Sequence, residues 1–434
     1  MTTDLLTLYR IFQNCSGVTT DSRHCSENAL FIALKGESFN GNAFAVQALN
    51  DGCAYAVIDE PCYAVEGDSR FIKVENALEA LQQLAGYHRR QLKTKIIGIT
   101  GTNGKTTTKE LIAAVLSPSY KVLYTSGNLN NHIGVPLTLL QLNAGHQLAV
   151  IEMGANHLGE IKTLAHIADP DYGIITNVGK AHLEGFGSFE GVIRTKKELY
   201  DYLREKENTA VFIHYDNPYL MNMALGLKQI AYGAGDDLYI NGNTTDSSLY
   251  LSFEWKEGRE GTLHPVQTQL IGDYNLPNAL AAITIGRFFG IASEAINKSL
   301  EAYAPQNNRS QLKKTANNTL AIDAYNANPT SMAAALGNFR NMPAVHKTLI
   351  VGDMEELGEE SAAEHQKIID YIDTCDFEKV FLVGKLFAVT KHTYVSYLNV
   401  HELIVAFQKE PLREKTILIK GSNGMKLNQI VEFL

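Results

Sequence analysis

The 434-residue chain is predicted to be an α/β protein of three domains. They are a small N-terminal α/β domain, a central parallel-sheet domain opening on a phosphate-binding loop, and a C-terminal Rossmann-like domain. Three observations predict this. The length exceeds what one hydrophobic core serves, so two to four domains are expected. Apolar strand candidates alternate with helical patterns, as in parallel sheets with crossover helices. A glycine-rich turn, Gly101-Thr-Asn-Gly-Lys-Thr106, joins an apolar run to a helix-like stretch.

Residues 1–93 hold short strand-like pieces, Ala29–Leu34 and Ala54–Ile58, and a helix-like Ala77–Leu92, parted by turn residues. Residues 94–306 carry strand candidates Lys95–Thr100, Val122–Thr125, Leu148–Ile151, Tyr172–Thr176 and Ala210–Ile213. Between Gly233 and Thr268 the texture changes to alternating Leu, Tyr, Phe and Trp with many Gly, Thr and Ser, which predicts an antiparallel patch. Residues 307–434 form a second βα series. Its strands are expected at Leu320–Asp323, Thr348–Val351, Lys379–Val383 and Thr416–Ile419, with helices at Ser331–Phe339 and Glu360–Ile372. Turn-rich Pro305-Gln-Asn-Asn-Arg309 is the expected hinge.

The composition, 45% hydrophobic and 20% charged, is that of a globular protein. A formal net charge of −9 with no Lys/Arg-rich run argues against a nucleic-acid binder. The N-terminus, MTTDLLTLYRIF, does not read as a signal peptide, and no apolar segment is long enough to insert into a bilayer. Cys15, Cys25, Cys53, Cys62 and Cys375, without CxxC spacing, suit reduced thiols. The expected location is the cytoplasm.

A strand turning on glycines into a helix N-terminus points several backbone N–H groups at one spot and adds the positive end of the helix dipole. Lys105 then supplies a point charge for outer phosphates and Thr106 a hydroxyl for Mg²⁺. The spacing departs from the usual P-loop, because Ile99 stands where the first glycine belongs. The segment nonetheless predicts binding of a nucleoside triphosphate.

Four further clusters leave the ends of predicted strands or open helices, where open α/β sheets bind ligands. Glu152, at the end of one strand, is placed either to hold Mg²⁺ or to cap the next helix. His182, in a glycine-rich loop, is either structural or a ligand. The run Arg194-Thr-Lys-Lys-Glu198 reads as a solvated helix face. Asn275 and Asn278, beside a proline at a helix start, read as capping residues. Asp323-Ala-Tyr-Asn-Ala-Asn-Pro329 again joins polar side chains to a turn at a strand end. There is no nucleophile elbow and no HExxH helix.

Together these segments resemble the Mur ligase family, the ATP-dependent amide-bond enzymes of peptidoglycan precursor synthesis, over nearly the whole chain. The likeness rests on Gly101–Thr106, Thr20-Asp-Ser-Arg23, Phe31-Ile-Ala-Leu-Lys-Gly36, and Gly127-Asn-Leu-Asn-Asn-His-Ile-Gly-Val-Pro136. It continues through Glu152–Glu160, His182–Ser188, Asp323–Pro329 and Gly352-Asp-Met-Glu-Glu-Leu-Gly358. Within the family, the likeness is to the branch that adds D-alanyl-D-alanine to UDP-N-acetylmuramoyl-tripeptide.

The resemblance implies that Gly101, Thr102, Asn103, Gly104, Lys105, Thr106 and Thr107 bind ATP. Asn275 and Asn278 would face the adenine, and Arg309, Asp323 and Tyr325 would reach the nucleotide from the hinge and third domain. Thr106 and Glu152 would hold one Mg²⁺ and His182 a second. Lys196 would carry a CO₂-derived carbamate, with Lys197 beside it an ambiguity. Asp21, Ser22, Arg23, Lys35 and Gly36 would touch the uridine-diphosphate part of the substrate, and Asn128, Asn130 and Asn131 its peptide region, with Asn326 and Asn328 also at substrate. Lys105, His182, Lys196, Asn131 and Arg309 would be catalytic. A self-contained three-domain enzyme is expected to be a monomer.

Two departures stand out. Ala324 replaces the second of two acids common in the family, leaving only Asp323. The Asp-Asn-Pro-Arg string of the sister ligase that adds diaminopimelate or lysine is missing. Two alternatives share part of this pattern. A folylpolyglutamate synthetase-like ligase should lack Thr20–Arg23 and the asparagine loop, and a non-catalytic nucleotide sensor should have lost Lys105, Glu152, His182 or Lys196.

Overall fold

In chain order the computed structural model, which describes residues 2–246, 249–306 and 309–434, builds three sheets of four, nine and six strands. The first is fully parallel and runs Val18–Thr19, Leu30–Ile32, Tyr55–Ile58, Phe71–Lys73. Helix Ala77–Arg90 leaves it. Asn76 starts that helix by accepting from the Leu78 and Glu79 amides, and Arg89 and Arg90 complement its C-terminal dipole. Buried Arg89 fastens the domain to the next one by donating to the Ala168 and Asp169 carbonyls and the Asp171 carboxylate.

In the central sheet Lys95–Thr100 lies between Leu148–Glu152 and Tyr172–Ile175, parallel to both. The chain passes outward through Val122–Tyr124, returns through Leu148–Glu152, and then crosses to Tyr172–Ile175 and Ala210–His214. The order therefore reverses beside Lys95–Thr100, and loops at the carboxyl ends of these strands diverge into a crevice. The expected antiparallel patch is present as Ile240–Asp246, Ser252–Glu257 and His264–Gln267, joined to the same sheet through Gln229–Gly233.

The third sheet has the order Gln311–Lys314, Thr319–Asp323, Thr416–Lys420, Lys347–Gly352, Lys379–Val383, Val395–Tyr397, parallel except for the first pair. Val18–Thr19, Phe71–Lys73, Gln229–Gly233, Gln311–Lys314 and Val395–Tyr397 were not expected from sequence. All but Gln229–Gly233 are edge strands, which lack the continuous apolar run of the interior parallel strands. Of the expected hinge, Asn307 and Asn308 lie outside the described residues.

The third domain docks on the phosphate-binding loop. Asn328 Nδ2 donates to Asn103 Oδ1 at 2.7 Å, and Lys180 pairs with Glu360 and Glu364 at 2.9 and 3.0 Å. No helix among the described residues is long and apolar enough to cross a membrane. All five cysteines are free thiols.

Candidate active site

Two glycines shape the loop that opens helix Lys105–Leu116. Gly101 has φ 145°, and a Cβ there would fall 2.0 Å from Thr176 Oγ1. Gly104 has φ 78°, and a Cβ would fall 2.6 Å from Asn278 Oδ1. The departure at Ile99 follows from the geometry, because Ile99 is fully buried inside the strand and the turn begins only at Gly101. Lys105 Nζ donates to the Gly101 and Thr102 carbonyls at 2.7 and 3.1 Å. Burial pushes its pKa down to about 8, opposed by the Glu152 carboxylate and aided by Arg309.

Glu152 ends its strand almost fully buried. Its Oε1 accepts from Asn130 Nδ2 at 2.7 Å and from Thr106 Oγ1 at 3.3 Å, while its Oε2 has no hydrogen bond. The capping alternative is overturned: Gly159 precedes helix Glu160–Ala168, and Glu152 faces the phosphate-binding loop instead. A carboxylate oxygen buried without a donor, beside a threonine hydroxyl, is the donor set expected for Mg²⁺ completed by phosphate oxygens. No three His, Cys, Asp or Glu side chains cluster to hold a metal among the described residues, so the protein offers no all-protein cage.

His182 adopts φ 50°, in the left-handed region, and its Nδ1 contacts the Glu356 carboxylate of the third domain. That contact holds Glu356 below the usual carboxylate range. Lys196 corrects the expectation of a solvated charge run. It is 2% exposed, its ammonium lies 5.3 Å from the Phe186 ring centroid, and no carboxylate pairs with it among the described residues. Burial drives its pKa well below the lysine value, with Lys105 adding to the effect. Lys197, one residue on, turns outward to pair with Asp201 at 2.6 Å.

Asn275 and Asn278 do not cap helix Leu276–Phe288, which corrects the capping expectation. They form a buried chain instead: Thr108 Oγ1 donates to Asn278, Asn278 Nδ2 to Asn275, and Asn275 Nδ2 to Ile271 O and Ser310 Oγ. Burial of amides already bonded on both sides holds them rigid where the helix meets the loop. The Arg309 guanidinium stacks 3.7 Å above the Tyr325 ring, with its Nε buried and without a hydrogen bond among the described residues. Asp323 accepts from the buried Lys420 ammonium at 2.7 Å.

One cavity of about 1170 Å³ between the central and third domains gathers most of these residues. Its lining includes Thr102–Thr107, Asn128, Asn130, Asn131, Glu152, His182, Asn275, Asn278, Arg309, Asp323, Tyr325 and Asn326. Asn131 Oδ1 accepts from the Ile133 and Gly134 amides, and Asn326 Oδ1 from the Ala327 amide. Gly101 and Lys196 are not in the lining. Asn328 is not in the lining: its amide is occupied by Asn103 and by the cap of helix Pro329–Asn341. Asp21, Ser22, Arg23, Lys35 and Gly36 lie away from this cavity, on the first domain. There Arg23 grips Asp21 at 2.8 Å, and Lys35 pairs with Asp59 and Glu60.

Three charged residues escaped the sequence reading. Lys109 is buried 3.8 Å from Glu152 Oε2, Lys420 sits opposite Asp323, and Glu356 meets His182. Lys109 left a signal, four positions after Lys105 and so on the same helix face, and Glu356 lies inside the quoted Gly352–Gly358 string, whereas Lys420 left none.

The chain belongs to the Mur ligase family. Its residues 14–89 match the Mur ligase family catalytic domain, 99–286 the Mur ligase middle domain, and 308–423 the glutamate ligase domain. It is similar to UDP-N-acetylmuramoyl-tripeptide–D-alanyl-D-alanine ligases. With that of Bacillus subtilis it shares 37% identity over 96% of this chain and 93% of the relative. With that of Escherichia coli the identity is 34% over the same shares. The crystal structure of MurF from Acinetobacter baumannii superposes with a TM-score of 0.86 at 29% identity, covering 98% and 97% of the two chains.

Proposed function

We infer that this chain is the ATP-dependent ligase that joins D-alanyl-D-alanine to UDP-N-acetylmuramoyl-tripeptide, completing the UDP-linked pentapeptide precursor of peptidoglycan. The observation that carries the reading is one cavity with a phosphate-binding loop and a free buried carboxylate oxygen on one wall and Arg309–Tyr325 on the other. The near full-length identity to the Bacillus ligase supplies the substrates. ATP and a UDP-linked peptide are cytoplasmic metabolites, so the reaction belongs in the cytoplasm.

The tripeptide's terminal carboxylate attacks the γ-phosphorus of ATP, forming an acyl phosphate and releasing ADP. The amine of D-alanyl-D-alanine attacks that carbonyl, loses a proton, and phosphate leaves as the amide forms. Two anions must meet in the first step, so the site has to neutralise charge before chemistry starts. Lys105, held by loop carbonyls, and the helix N-terminus that opens after Gly104 supply fixed positive potential without reorganisation. Thr106 and Glu152 would hold Mg²⁺, with His182 at a second ion. Lys196, poised as a neutral amine by burial, would take up CO₂ as a carbamate ligand to that ion. Bound there, Mg²⁺ supplies charge neutralisation and alignment of the phosphate oxygens. Asn275 and Asn278 would bind the adenine side, and Arg309 on Tyr325 would reach the nucleotide across the cleft. Asp21, Ser22, Arg23, Lys35 and Gly36 would hold the uridine-diphosphate end.

The test is phosphate release with ATP, Mg²⁺, UDP-muramoyl-tripeptide and D-alanyl-D-alanine, leaving out each component in turn. Release should need all four. Release that persists without the dipeptide refutes the assignment.

A further inference from the structure

Lys109 has no place in the mechanism above, yet it is among the most completely buried large side chains of the protein, at 1% exposure. A lysine inside a folded core is tolerated only opposite a compensating charge. Its ammonium lies 3.8 Å from Glu152 Oε2, beyond hydrogen-bond reach, and 5.9 Å from the Tyr124 ring centroid. Glu152 is divided accordingly. Oε1 takes two donors, from Asn130 and Thr106, while Oε2 takes none among the described residues and faces this diffuse positive charge.

The surroundings sharpen the point. Lys105, Lys109 and Arg309 act electrostatically on one another or on Glu152 across the same small volume. The other carboxylate near Lys109, Glu110, is engaged by the Tyr303 hydroxyl at 2.5 Å. Lys105 and Lys109 both act on the one Glu152 carboxylate, and Arg309 acts on both lysines, so a bare dication at Oε2 is opposed. A polyphosphate reverses the local sign and brings the metal with it.

We propose that Lys109 is a positioning residue, a built-in counter-ion that stands beside the open Oε2 of Glu152 and denies that oxygen to a divalent cation until the nucleotide arrives. This rests on the reading of Glu152 as a metal ligand. It assigns Lys109 a part in the order of binding rather than in the chemistry.

The test uses Mn²⁺ as probe, read by loss of the free-ion electron paramagnetic resonance signal, on the whole protein. Wild type should take up Mn²⁺ with ADP and scarcely at all without it. Lys109→Met should bind Mn²⁺ without nucleotide at least about tenfold more tightly than wild type, since one opposing charge at contact range is gone. Lys109→Arg, which keeps the charge, should behave as wild type. Equal nucleotide-free affinity in wild type and Lys109→Met overturns the proposal. Absence of Mn²⁺ uptake by wild type even with ADP overturns the metal reading of Glu152 beneath it. Should Lys109→Met fail to fold, Lys109→Met/Glu152→Gln decides. Restored folding sustains the counter-ion role, and continued failure shows that Lys109 is needed for packing alone.

Discussion

Gly104→Ala tests the loop geometry most directly, because the structure assigns it two separate costs. At φ 78° an alanine occupies the left-handed region, at about 1–2 kcal/mol. Its Cβ would also fall 2.6 Å from Asn278 Oδ1. A free side-chain end would swing aside at little cost, but Asn278 is buried and bonded to both Thr108 and Asn275 at 3.0 and 2.9 Å. Moving it forfeits two buried hydrogen bonds of about 1 kcal/mol each. The sum, about 3–4 kcal/mol, is a large share of the roughly 5–15 kcal/mol that holds a protein folded. The only tryptophan, Trp255, is buried in the same domain, so its fluorescence in urea reads the loss. Asn278→Ala removes the obstruction, and Gly104→Ala made in that background should then cost the backbone term alone. The two substitutions should therefore fall short of additivity by about 2 kcal/mol. ADP affinity measured by calorimetry should drop at least about tenfold in Gly104→Ala, an energy of about 1.4 kcal/mol. Additive costs within about 0.5 kcal/mol would refute the clash, and with it the account of why glycine stands there.

Lys105→Ala should fold, because its ammonium bonds only to loop carbonyls, and should lose at least about a hundredfold in phosphate release, some 3 kcal/mol of charge stabilisation. Near wild-type turnover would remove Lys105 from the mechanism. Lys196→Ala should be inactive and partly restored by short carboxylic acids, whereas Lys197→Ala, on the Asp201 side, should turn over normally. No rescue would count against the carbamate. His365 is held neutral by burial, with Nδ1 at the Ser361 carbonyl and Nε2 accepting from the Met354 amide. Its folded pKa lies below 6.5, so the unfolded chain binds the extra proton first. This contribution to stability is complete above pH 6.5 and is lost as pH falls below it. Urea midpoints of His365→Gln should therefore fall less steeply between pH 6.5 and 5 than those of wild type, and parallel curves would exclude His365 as a source of the slope.

Much of the fold and part of the site are legible in one dimension. Strand, glycines, lysine and threonine from Lys95 to Thr106 are neighbours in sequence, and their order specifies a phosphate cradle because backbone conformation and helix dipole are local properties. Glu152, Asp323 and Asn275 stand at element ends for the same reason. What tertiary packing decided is the electrical surrounding of each side chain. One step along helix Phe189–Arg204 separates Lys196, buried with no ion-pair partner among the described residues, from Lys197, paired at the surface. Strand register sets Lys420 opposite Asp323 across 97 residues of chain, and domain docking sets Glu356 on His182. Helix packing encloses Lys109 beside the one oxygen of Glu152 that is left free. Charge energies depend on what lies within a few ångströms and on how much water is excluded, and neither quantity exists until the chain has folded.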